Sequence, residues 1–355
     1  MLFRTGVVVS IEENGPELVR VRVALDGIEM DATGWPRMLG PLDAGDRVVV
    51  NTTGIDLGLG TGGTGFLLWN LDGAGPREEP EGHIVKMRYT PWQMPVLAAE
   101  APESPHHDAL VEVRSIDGTP VVACGLHSQI AGVAAGVKAT APDARVGYLM
   151  TDRAALPMTW SRLATQLKDA GLIDSTATAG HSFGGDLETV NVFSGMAALT
   201  RSAGADVVVV AMGPGVVGTG TALGFTAMEQ GTVLDAAAAL EGIGIAVLRL
   251  NWLDERPRHK GLSHHTLTAL SLAARESATI AVPVLVDPRR AEVMEALAGA
   301  GLDERHEVVE ADGGPGLELL AARGIRPMSM GRTMEEIPEL FLASAAAGRI
   351  AAEHL

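Results

Sequence analysis

Asp206-Val207-Val208-Val209-Val210-Ala211-Met212-Gly213-Pro214-Gly215-Val216-Val217-Gly218 is the stretch that decides the fold. Six apolar residues in a row, four of them valine, leave no polar face for water. A strand of that kind is buried on both sides, as parallel strands are when helices cover both faces of a sheet. The Gly-Pro-Gly that follows ends it abruptly. Outward from this run, further strand-like segments recur at Pro120 to Gly125, Arg145 to Met150, Ser175 to Ala179, Ile245 to Asn251, Ile280 to Asp287 and His306 to Glu310. Helix-length segments separate them: Ile130 to Thr140, Trp160 to Ala170, Leu187 to Ser202, Phe225 to Leu240, His265 to Ser277, Arg290 to Ala300 and Leu317 to Ala322, with a last helix from about Glu335. Strand-helix alternation predicts an α/β, doubly wound, mostly parallel sheet with helices on both faces over 110–355. In such sheets ligands bind beyond the carboxyl ends of the strands.

The first 90 residues read differently. Phe3 to Glu12, Leu18 to Leu25, Ile28 to Trp35, Asp46 to Asn51, Gly65 to Leu71 and His83 to Tyr89 are short and rich in β-formers. Turn residues such as Asn14-Gly15-Pro16 and Asp26-Gly27 divide them, and the second pair signals a hairpin. Several strands with no helix between them predict a small β-barrel over 1–90. Prolines at 91, 95, 102 and 105 mark 91–109 as a connection.

Hydrophobic residues make up 46% of the 355 residues and aromatics only 4%, so the core is built from small aliphatic side chains. The net charge of -17 argues against nucleic-acid binding, which needs a basic face. The single cysteine, Cys124, lies in an apolar run and fits a core role in a reducing compartment. The N-terminus turns acidic at Glu12-Glu13, too soon for a signal peptide, and no segment reaches the roughly 20 apolar residues of a membrane span. A cytoplasmic protein without membrane contact is expected.

Ser104-Pro105-His106-His107, Met150-Thr151-Asp152-Arg153-Ala154-Ala155-Leu156-Pro157, Gly180-His181-Ser182-Phe183-Gly184-Gly185-Asp186, Met212 to Thr221 and Ser263-His264-His265-Thr266 resemble the signature runs of a bacterial family, domain of unknown function 3866. The resemblance covers nearly the whole chain, including Asn51-Thr52-Thr53 and Gly58-Leu59-Gly60-Thr61-Gly62-Gly63. It implies a shared full-length architecture and carries no catalytic residue across.

Three constellations could carry chemistry. Gly213, Gly215 and Gly218 match G-x-G-x-x-G after a strand and ahead of a helix, where glycines let a backbone approach a phosphate, with Thr219 adding a hydroxyl. Pro214 removes one donor, and the acid expected about 20 residues on is out of place, since the next strand does not end until Asn251, with Asp254 and Glu255 beyond it; an anion is favoured over a dinucleotide. A tight turn packed with small residues accounts for the same run. Arg258 and Lys260, in the basic run Arg256 to Lys260, could hold a phosphate or carboxylate, or could line a solvated loop.

Gly180-His181-Ser182-Phe183-Gly184 matches the G-x-S-x-G elbow, which would make Ser182 a hydrolase nucleophile. The histidines form the third group. His127 and His181 follow strands, His264-His265 open a helix, and Asp152 and Asp186 stand near the same sheet edge. Such a set suits a divalent transition metal or acid–base catalysis, with His181 as acid or base, Asp152 or Asp186 orienting it and His127 assisting. Hydrogen-bonded structural histidines and helix caps, with Asp186 and Ser263 as N-caps, explain the pattern equally. Three functions stay open: an enzyme acting on a small anionic metabolite, a non-catalytic ligand sensor or scaffold, and a serine hydrolase. The small-residue stripe of the last helix could pack on the sheet or pair with a second subunit in a homo-oligomer.

Overall fold

The computed structural model describes residues 2–59, 63–76, 82–153 and 157–355. The chain forms two compact units, Met1–Glu81 with Arg88–Gln93, and Gly82–Met87 with Met94–Leu355.

In the first unit, strands β1 (Phe3–Asn14), β2 (Val19–Leu25), β3 (Ile28–Gly34), β4 (Arg47–Asn51) and β5 (Gly65–Asn70) close a barrel in the order β1-β2-β3-β5-β4. All neighbours are antiparallel except β3 and β5, the connectivity of a five-stranded Greek-key barrel. Every second residue of β2 (Val19, Val21, Val23 and Leu25) points into a core shared with Val8, Val48, Val50 and Leu67. Asp26 and Gly27 turn the hairpin, both at positive φ. Of the glycine-rich run 58–63, residues 60–62 lie outside the described residues, as do 77–80 of the neighbouring polar loop.

The expected strand from His83 to Tyr89 exists only as β6 (Ile84–Lys86), and it belongs to the second unit. There it pairs with β7 (Met94–Val96), inside the proline-rich stretch. Pro91 therefore lies in the loop of a hairpin and Pro95 within its second strand, rather than in an extended linker.

The second unit holds a sheet of eight parallel strands in the order β11-β10-β9-β12-β8-β13-β16-β17. In chain order these are β8 (Pro120–Ala123), β9 (Val146–Thr151), β10 (Ser175–Thr178), β11 (Leu187–Glu188), β12 (Val207–Met212), β13 (Ile243–Val247), β16 (Thr279–Pro283) and β17 (Glu307–Ala311). A small antiparallel pair, β14 (Leu250–Asn251) and β15 (Gly261–Leu262), follows β13. The all-valine strand is fully buried, as its sequence requires. Val207 and Val209 pack into the core on one face, and Val208 and Val210 into the core on the other. The first core includes helices at Gln129–Thr140, Arg162–Asp169, Gly314–Ala322 and Pro338–Glu353; the second takes residues from those at Val192–Ala197, Glu229–Ala239 and Arg289–Gly299.

Two local expectations need correction. The helix expected over Leu187 to Ser202 starts only at Val192, because Leu187 and Glu188 extend the sheet as β11. Its N-cap is Asn191, whose side chain accepts from Phe193 and Ser194 N–H while the Ser194 hydroxyl accepts from Asn191 N–H. Asp186 therefore caps no helix, whereas Ser263 does accept from His265 N–H as expected. The segment Ile245 to Asn251 also divides: β13 ends at Val247 and β14 turns away at Leu250.

The chain leaves neighbouring strands β8 and β12 in opposite directions. From β8 it passes over β12 to β9; from β12 it passes over β8 to β13. A crevice outside the carboxyl ends of such a pair is where doubly wound sheets bind ligands. Among the described residues, no helix is long and apolar enough to cross a membrane.

Candidate functional site

His127 stands at that switch point, and its surroundings make it a plug. Nδ1 donates to the Met212 carbonyl at 3.1 Å and Nε2 accepts from the Ser161 hydroxyl at 2.6 Å. Burial pushes its pKa down to about 4. Both ring nitrogens serve the fold, so His127 assists no other histidine. This ring also makes stability depend on acid. The unfolded chain takes up the proton near pH 6.5 and the folded chain only near 4, so stability falls as pH drops through that window. Thermal unfolding at pH 7 and pH 5 should show a loss of about 2 kcal/mol from this group. His127→Asn should remove that share of the slope; an unchanged slope would disprove it.

Over β9 and β10 lies one polar group. His181 accepts from Met87 N–H through Nδ1 at 2.9 Å. The Asp152 carboxylate sits against Gly180, on the space a Cβ there would fill. No hydrogen bond or ion pair joins His181 to Asp152 or Asp186 among the described residues. Asp186 lies instead at the start of β10, paired with Lys168 and accepting from the Thr176 N–H and hydroxyl. Ser182 is 0% exposed and donates to the Thr151 carbonyl at 2.8 Å. Its loop leads to a strand and not a helix, so the geometry of a nucleophile elbow is absent there. Beneath it Lys86, 1% exposed, reaches Glu188 at 2.6 Å and the carbonyls of Thr178 and Ser182. Residues 154–156 of the neighbouring run lie outside the described residues. Glu229 and Arg153 form an ion pair at 3.0 Å nearby in the chain's fold, and burial raises the Glu229 pKa.

A second polar group gathers past the end of β13. The β14–β15 pair folds 252–260 back on itself, which returns His259 to the helix start at Ser263. His259 Nδ1 lies 2.7 Å from Ser263 Oγ. His264 and His265 follow the cap, and one ring nitrogen from each of the three lies within 4.8 Å of the others. Phe225 stacks on His265 with centroids 3.9 Å apart and planes 4° apart. Arg249, 4% exposed, puts Nη1 3.2 Å from His265 Nδ1 and Nη2 3.2 Å from the Met330 sulfur. Burial, then the Arg249 charge, lowers His259 to about 4 and His265 to about 3; burial and the Arg258 charge lower His264. All three imidazoles are neutral at pH 7.

The glycine run comes to this second group. Gly213 is buried at the end of β12, and Gly215 is exposed at φ 120° with nothing within 4 Å of a Cβ. No helix opens at Gly218. The chain forms a short loop bridged from Gly218 to Phe225, and the helix begins at Glu229 after a 3-10 turn. The helix-terminus part of the phosphate mechanism is thus missing at the glycines. A Cβ at Gly218 would stand 3.3 Å from the His265 ring, and one at Gly220 (φ 78°) 3.5 Å from the Arg258 guanidinium. The Thr219 hydroxyl is held inside the loop by Thr221 and the Gly224 carbonyl. Arg258 and Lys260 are exposed. So the loop after β12 and the basic run after β14, far apart in sequence, meet.

Sequence reasoning missed Arg249 and counted His259 only as part of the basic run. The signal for the second was present as His259-x4-His264-His265; Arg249, inside an apparent strand, gave none. A family profile described as "Protein of unknown function (DUF3866)" matches residues 31–348. The chain belongs to that family. The match runs from within β3 to the last helix, so both units are part of the family's architecture. Neither the search of curated proteins nor that of solved structures gives a match.

Proposed function

We propose that the chain is an enzyme acting on a small anionic metabolite, bearing a phosphate or carboxylate, held past the carboxyl end of β13. The observation that supports this is charge. The buried Arg249 guanidinium feels the charges of two further arginines, Arg256 and Arg258, against one carboxylate, Asp254, in a chain of net charge -17. Asp254 is already bonded by the Arg256 side chain at 2.9 and 2.8 Å, which holds its carboxyl down to about 2. Arg249 lies 3.9 Å from it, and its buried Nε has no hydrogen-bond partner among the described residues. Burial pulls the Arg249 pKa down to about 10, the mark of a cation short of compensation. A buried guanidinium is costly without a counter-charge, and an incoming anion supplies one. Gly218, against the His265 ring, and Gly220, against Arg258, border the same place. Neutral imidazoles beside it can exchange a proton or hold a metal.

On this reading inorganic phosphate should raise the melting temperature of the purified chain in a saturable way at constant ionic strength. Arg258→Ala should weaken that binding by about tenfold, since a hydrogen bond to a charged group is worth about 1.5–3 kcal/mol. A folded protein that phosphate, pyrophosphate and citrate all fail to stabilise would overturn the anion site. Nucleic acid is a poor candidate, because the outward arginines of the barrel are already paired: Arg20 with Glu13, and Arg22 with Glu29 and Asp31.

A further inference from the structure

We propose that His259, His264 and His265 bind a divalent transition-metal ion. The proposal adds a metal to the edge where the anion is placed, and it does not depend on the anion. Three imidazoles with a nitrogen each inside 4.8 Å form a facial set, close enough that a small contraction brings them to one ion. The two on the helix are fixed by the Ser263 cap; the third is fixed by the β14–β15 turn. His259 shows the support usual for a ligand. Its Nδ1 bonds to Ser263 Oγ, which leaves Nε2 to offer a lone pair. His264 shows the vacancy. Its Nε2 is buried and has no partner among the described residues, a cost that a bound ion removes. Phe225, stacked on His265, and Gly218, against the same ring, hold that imidazole in place.

His265 carries the constraint. In a neutral ring the nitrogen that accepts from Arg249 Nη1 is the one with the lone pair. A metal must therefore displace that guanidinium, which then faces the open coordination positions. Two consequences follow. The metal should be an imidazole-preferring ion such as Zn²⁺, Co²⁺, Ni²⁺ or Cu²⁺, and not Mg²⁺ or Ca²⁺. Phosphate, by neutralising the displaced arginine and taking an open position, should tighten it.

The test is a Co²⁺ titration of the metal-stripped full chain in phosphate-free buffer, followed by ligand-field absorption. One equivalent should bind saturably, Zn²⁺ should displace it, and Mg²⁺ should not. His264→Ala, on a half-exposed ring, should weaken Co²⁺ by about tenfold or more with the circular dichroism unchanged. His259→Gln provides a second variant should the first fail to fold. Absence of saturable binding, or binding that survives both substitutions, overturns the proposal. Arg258→Ala removes a positive charge beside His264, so it should not weaken Co²⁺ in phosphate-free buffer while it does weaken phosphate. The metal and anion sites can therefore fail separately.

Discussion

Gly136→Val is expected to leave no cooperatively folded second unit. Gly136 lies on the helix Gln129–Thr140, which packs against the C-terminal helix Pro338–Glu353. The two approach so closely that a Cβ at Gly136 would fall on the Ala345 carbonyl oxygen, and one at Gly348 on that of Val133. Glycine within a helix costs about 1 kcal/mol relative to alanine, so these residues are tolerated for what they permit: backbone against backbone. The obstacle to a side chain is backbone on a buried helix, which cannot rotate aside. Overpacking of well-packed cores costs about 1–3 kcal/mol, and here the clash is with main chain, so a loss above about 4 kcal/mol is expected. Urea unfolding followed by circular dichroism measures it. Gly299→Ala, at a helix end where nothing lies within 4 Å of the new Cβ, is the control and should be neutral or slightly stabilising. A Gly136→Val protein with a native midpoint would show that the helices can separate freely.

Glu188→Gln should cost about 3–5 kcal/mol, the penalty for stranding a buried charge. Glu188 Oε2 meets Lys86 Nζ at 2.6 Å and the Thr178 hydroxyl at 2.5 Å, while Oε1 accepts from Gly184 N–H at 2.6 Å. Burial already lowers the Lys86 pKa and Glu188 opposes that effect. Without the carboxylate the ammonium keeps only two carbonyls and a hydroxyl. Lysine lowered by folding is penalised below its folded pKa and relieved as pH rises toward its unfolded value of 10.5. The variant should therefore regain stability on going from neutral to alkaline pH more steeply than the parent. Lys86→Met combined with Glu188→Gln should be less destabilised than the two singles together, which a double-mutant cycle reads directly. Strict additivity would mean that the pair does not interact.

The strands were legible because composition dictated them. Four consecutive valines can be satisfied only by apolar contact on both faces, and alternation in β2 by a sheet with one face buried, here the inside of a barrel. Residues 187–188 were not legible, since Leu-Glu next to a helix-like run carries no local mark of a strand. Its pairing with Ala177 and Thr178 is a tertiary fact. The site was half legible. The loop after β12 and the basic run do meet, at Gly218 with His265 and at Gly220 with Arg258, for the reason that both follow ends of strands. His181 and Asp186 share one loop but face different partners, because that loop runs from one end of β10 to the other; Asp152, which follows β9, packs against Gly180. His127 was read as functional from its position after a strand, and that same position, between β8 and β12, is what buries it.

The sheet order has a consequence for synthesis. β12 lies between β8 and β9, yet it is made after both, and after β10 and β11. A chain emerging from the ribosome N-terminus first therefore cannot zip its sheet in the order it is made. In the finished sheet β8 and β9 stand about 10 Å apart, two strand spacings, and until Val207 to Met212 appear the edges they offer to β12 lack their native partner. The valine strand acts as a keystone: the arch stands only when the piece from the middle arrives.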